Sequence, residues 1–111
     1  MAKENIIIDK TFEFSLRIIE LYKYLTIEKK EYILSKQLLK SATSIGANVE
    51  ESTVAQSRKD FLSKMSIASK EARETTYWLR LFINSFYISG NSIEIKKITS
   101  SVVKMTSAQK D

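Results

Sequence analysis

The chain has 111 residues, enough for one domain with a hydrophobic core, and it contains no proline and glycine only at positions 46 and 90. Cysteine and histidine are both absent, which excludes disulfides, thiolate or imidazole metal sites, and Ser–His or Cys–His nucleophiles. Eighteen Lys and Arg against 13 Asp and Glu leave a net charge of +5, a balance that points to a polyanionic partner. Without the usual helix breakers the chain can run long helices, and four are predicted in one domain spanning residues 1–111. The first covers about 9–27. Phe14, Ile18, Leu21 and Leu25 form its apolar row, Phe12, Leu16, Ile19 and Tyr22 widen that face, and Asp9 or Thr11 supplies the N-cap.

The polar stretch Thr26–Tyr32 connects to a second helix over about 33–55. There Leu34, Leu38, Ala42, Ile45 and Val49 recur at helical spacing. Gly46 lies inside this helix. It is either a tolerated cost or, together with Ser44 and Ala47, a place where a neighbouring helix comes close. Ser57 and Asp60 resemble a capping box and start a third helix over about 58–88. Gly90 suits its C-cap, and Asn91 starts a fourth helix over about 91–108 that carries Ile95, Ile98, Val102 and Met105. Short connections between amphipathic helices predict an all-α, up-down-up-down left-handed four-helix bundle. The apolar run Ile6–Ile8 is far shorter than the roughly 20 residues that cross a bilayer, so a cytoplasmic location is the default and no membrane partner is expected.

The third helix carries two stripes. Phe61, Met65, Ala68, Ala72, Thr75, Leu79, Phe82 and Phe86 alternate spacings of four and three, a heptad seam suited to the bundle core. Ile67, Glu71, Glu74, Trp78, Leu81 and Ser85 form a second row, with Tyr77 beside it. Snorkelling side chains on a broad core face would explain this row. So would a subunit interface, for which Ile67, Glu71, Glu74, Tyr77, Trp78 and Leu81 are the candidates. Glu71 and Glu74 lie one turn apart, which a carboxylate–cation enzyme site would use; salt bridging to Lys70 and Arg73 is the simpler role. No catalytic residue, metal ligand or cofactor site is assigned, and the chain reads as a non-enzyme.

The positive charge is spread over Arg17, Lys23, Lys29, Lys30, Lys36, Lys40, Arg58 and Lys59, the candidate nucleic-acid-binding residues. Lys36 and Lys40 stand one turn apart, a repulsive spacing that a polyanion would relieve. With no base-reading motif in the sequence, recognition of the backbone or of shape is expected.

The segments Ser41–Glu51 (SATSIGANVEE) and Lys59–Leu79 (KDFLSKMSIASKEARETTYWL) resemble the central motifs of the bacterial 23S ribosomal RNA intervening-sequence proteins, and the likeness runs from about Asp9 to Ile98. The resemblance implies a ring-like homopentamer of up-down bundles. It further implies kinship to the accessory variability proteins of diversity-generating retroelements, basic pentamers that bind nucleic acid and a reverse transcriptase. It implies no catalytic residues. For Ser44, Gly46, Asn48, Glu51, Glu71 and Glu74 it implies buried packing and polar specification, with Asn48 and Glu51 facing Glu71 or Lys70. The expected function is an oligomeric module that binds RNA or other nucleic acid through repeated basic patches. The alternative is a protein-interaction adaptor or scaffold that binds no nucleic acid directly.

Overall fold

The computed structural model describes residues 3–85, 87 and 88, and the description of side chains begins at Ile6. These residues form three α-helices: α1 (Lys3–Ile27), α2 (Leu34–Ser52) and α3 (Arg58–Asn84). The predicted fourth helix over 91–108, the caps at Gly90 and Asn91, and Phe86 lie outside the described residues. α2 packs against both α1 and α3. Because the connections are short, each packed pair runs antiparallel. The register of the first pair is fixed where Gly46 meets Thr11 and Ser15, and that of the second where Ser41 meets Thr75.

α1 begins well before the expected start at residue 9. No proline or glycine interrupts the segment, and Ile7 and Ile8, packed against the core, continue the row of Thr11, Phe14, Ile18, Leu21 and Leu25 backwards by one turn. Thr11 is therefore no cap. Its hydroxyl donates to the carbonyls of Ile7 (3.0 Å) and Ile8 (3.1 Å) inside the helix. Phe12 and Leu16 do not widen the core face either: they are 57% and 49% exposed. Each sits two residues, about 200°, from a core position, so it points to the opposite side of the helix.

α2 starts beyond a sharp reversal. Lys30 adopts φ 54°, a left-handed conformation, and the Glu31 N–H then donates to the Leu25 carbonyl at 2.9 Å. The Glu31 carboxylate turns inward and accepts from the backbone N–H groups of Ile33 (3.0 Å), Leu34 (3.0 Å) and Ser35 (2.7 Å). Ser35 Oγ donates back to the Glu31 carbonyl at 2.7 Å. A single side chain thus satisfies three of the donors that a helix start leaves without partners. At its far end α2 stops at Ser52 rather than near residue 55. The amides of Thr53, Val54 and Ala55 donate three residues back, to Glu50, Glu51 and Ser52, and this tightens the last turn.

Ser57 Oγ accepts from the Asp60 N–H at 3.1 Å and opens α3. α3 ends at Asn84, short of the expected 88. There Asn84 Nδ2 and Ser85 Oγ donate to the carbonyls of Arg80 (2.8 Å) and Leu81 (2.7 Å), groups that would otherwise lack partners.

The core is built from Phe14, Ile18, Leu21 and Leu25 of α1, Leu38, Ala42, Ile45 and Val49 of α2, and Ala68, Ala72, Leu79 and Phe82 of α3. Burial of each large apolar side chain contributes roughly 1.5–3 kcal/mol. Within this core Ser41 Oγ and Thr75 Oγ1 lie 2.9 Å apart, and Thr75 Oγ1 donates to the Glu71 carbonyl at 2.8 Å. Ser41 Oγ also reaches the Leu38 carbonyl at 3.3 Å, so each hydroxyl has an acceptor in its own helix and either can donate across the helix pair. The polar residues expected to be buried divide instead. Gly46 is buried, Ser44, Asn48 and Glu71 are half-buried, and Glu51 and Glu74 are exposed. Asn48 Nδ2 donates within its own helix, to Ser44 O at 2.8 Å and Ser44 Oγ at 3.2 Å, and not towards α3.

Two stability outcomes are expected in thermal or urea unfolding. Glu31→Ala should lose about 1–3 kcal/mol, because three donors at the start of α2, the Ser35 N–H buried among them, then lack their acceptor; an unchanged midpoint would rule out the cap as a stabilising element. A Cβ on Gly46 would lie 3.4 Å from Thr11 O and 3.5 Å from Ser15 Oγ, ordinary contact distances. Gly46→Ala should therefore gain about 0.5–1 kcal/mol through helix propensity, and Gly46→Leu should lose about 1–3 kcal/mol by forcing α1 away.

Candidate nucleic-acid interface

The antiparallel packing of α1 and α2 sorts the candidate basic residues into two groups. Lys23, near the end of α1, Lys29 and Lys30 in the reversal, and Lys36 and Lys40, in the first two turns of α2, all lie in the half of the molecule that contains the α1–α2 connection, and all are exposed. Arg58 and Lys59 are also exposed, but they open α3 at the opposite end. Arg17 is half-buried at mid-length on α1, where it has a partner. The eight residues therefore do not form one patch. Five share the half that holds the α1–α2 connection, two stand at the opposite end, and one lies between them.

Local structure strengthens the five. In the sequence the connection reads as balanced charge, two glutamates and two lysines in TIEKKEY. Folding turns Glu31 inward: the residue is only 9% exposed and its carboxylate accepts from three N–H groups, so it is not presented at the surface beside the lysines. Lys23 Nζ reaches Glu20 at 3.8 Å, but both side chains are well exposed and such a pair holds its charge loosely. Lys29 Nζ lies 5.9 Å from the centre of the Tyr24 ring, a cation–π distance. Sequence reasoning passes over Glu31 and Tyr24. A buried acid in a charged run leaves no periodic signal, whereas a tyrosine beside a lysine is a readable cue.

The second stripe of α3 is less uniform than its spacing suggests. Ile67, Glu74 and Tyr77 are exposed, whereas Glu71, Trp78 and Leu81 are half-buried, and Trp78 packs on the core. Tyr77 meets Trp78 edge-on, with ring centres 5.2 Å apart. Trp78 Nε1 is shielded from solvent and has no acceptor among the described residues. Arg73 Nη1 donates to Ser69 Oγ at 3.0 Å. Among the described residues no group of three or more acids gathers as a cation site, and no helix is long and apolar enough to cross a membrane.

No curated protein matches the chain. A crystal structure from Bacteroides thetaiotaomicron, of a protein with unknown function from the S23 ribosomal protein family, superimposes with a TM-score of 0.91 at 45% sequence identity. The match covers 97% of this chain and 95% of that one. The profile of the 23S rRNA-intervening sequence proteins matches residues 3–108, and the chain, helical throughout its described elements, belongs to that family.

Proposed function

We propose that this protein is a non-enzymatic, self-associating module that holds RNA by its phosphate backbone. The observation that carries this reading is the gathering of Lys23, Lys29, Lys30, Lys36 and Lys40 on one half of the α1–α2 pair, with Glu31 turned away from them. Flexible lysines on a rigid helical frame attract phosphates without reading bases, and a helical repeat of like charge along α2 is relieved when a polyanion binds. Self-association adds to this, because copies joined in one assembly present the patch several times and convert weak capture into retention.

Exposed apolar side chains on two different helices support self-association. Phe12 and Leu16 lie on the outer side of α1, and Ile67 and Tyr77 on α3. Two unlike patches that fit each other give head-to-tail contacts, which close into a ring when the rotation allows. The family resemblance implies five copies.

RNA affinity measured by fluorescence anisotropy should fall steeply with salt, and Lys36→Glu with Lys40→Glu should weaken it by at least tenfold at low salt. Salt-insensitive binding, or none at low salt, would return the chain to the adaptor reading. Light scattering should show an oligomer for the native chain and a smaller species for Phe12→Glu with Leu16→Glu. A native chain that is monomeric at all concentrations removes the self-association from this proposal.

A further inference from the structure

The reversal between α1 and α2 places aromatic rings among its lysines. Tyr24 and Tyr32 are 42% and 60% exposed, and Lys23, Lys29, Lys30 and Lys36 alternate with them along the chain. At the tip four lysines outnumber the two acids, of which Glu28 is exposed and Glu31 is held at the start of α2. We infer that this tip is a stacking platform for single-stranded RNA, with Tyr24 and Tyr32 receiving bases and the four lysines receiving phosphates. This rests on the reading of the chain as an RNA-binding module and names the form of RNA it takes.

A base offers its flat face only when it is unpaired, so exposed tyrosines beside lysines favour single strands over duplex. The Lys29 ammonium 5.9 Å from the Tyr24 ring centre sets the spacing: a phosphate held by Lys29 leaves its base within reach of that ring. The left-handed turn at Lys30 keeps the two tyrosines on either side of one tight reversal and not on a continuous helix face. Ile27 and Ile33 are also exposed at the tip, and apolar side chains with lysines can serve an acidic membrane. The arrangement here is interleaved. A membrane-surface element instead separates its apolar side from its charges.

The test uses the full chain against labelled oligouridine, an RNA duplex of equal length and phosphatidylserine vesicles. The native chain should bind oligouridine more tightly than duplex. Tyr24→Ala with Tyr32→Ala should weaken oligouridine binding roughly tenfold or more and leave duplex binding and the salt slope unchanged. Tyr24→Phe with Tyr32→Phe should bind as the native chain does. Should the alanine pair lower the melting temperature, Tyr32→Ala alone decides, since that ring is the more exposed. Undiminished oligouridine binding by the alanine variant overturns the platform and leaves the phosphate-binding function standing. Equal losses for oligouridine and duplex overturn it as well. Vesicle binding with no RNA binding at low salt overturns both.

Discussion

The first turn of any helix presents backbone N–H groups that its own carbonyls cannot reach, and in α2 three of these converge on the carboxylate of Glu31. For that side chain to arrive, the chain must turn back within a few residues of the end of α1. It does so through Lys30 in a left-handed conformation, which costs a residue with a Cβ about 1–2 kcal/mol. Charge-assisted hydrogen bonds to the carboxylate and the 2.9 Å bond from Glu31 N–H to Leu25 O offset that strain. The direction in which α2 leaves the connection is set at this one inward-facing acid, and its register on α1 at the far contact of Gly46 with Thr11 and Ser15.

Packing then matches small residues to close approach and large ones to space. Gly46 lies against Thr11 and Ser15, where α1 and α2 come near each other, and Ala68 and Ala72 occupy the N-terminal half of the α3 seam. Towards the α1–α2 connection the same seam carries Leu79 and Phe82, and α1 presents Leu21 and Leu25. Phe82 is braced by Tyr87 edge-on, with ring centres 5.8 Å apart. The basic half of the molecule thus lies over the large buried side chains Leu25, Leu79 and Phe82. A surface patch keeps a defined shape only when the elements beneath it do not shift.

The heptad seam of α3 is legible in the sequence because its spacing never breaks, and the Ser57 cap because it follows a local rule. Sequence and structure diverge where the outcome depends on three-dimensional direction. Phe12 and Leu16 lie beside core residues in the sequence, yet a helix turns them to its far side. Residues 3–8 are too short to signal a helix alone, but they lengthen one whose core row is already recognisable. Asn48 is a polar residue near the bundle interior, and its amide finds a nearer acceptor one turn back at Ser44. Most of the basic cluster is legible as composition. Its separation from Arg58 and Lys59 needs the antiparallel arrangement, and the withdrawal of Glu31 from its surface needs the turn at the start of α2.

The buried hydroxyl pair Ser41–Thr75 bears on motion as well as on stability. Apolar seams of similar side chains tolerate sliding by a turn, since one methyl contact resembles another. A hydroxyl pair adds a preference, because displacement of α3 along α2 would break the bond between the helices and leave each hydroxyl only the carbonyl of its own helix. The hydroxyl pair therefore marks one register of the two helices that methyl contacts alone would not distinguish. Sliding of α3 along α2 would cost more here than along a seam of methyl groups alone.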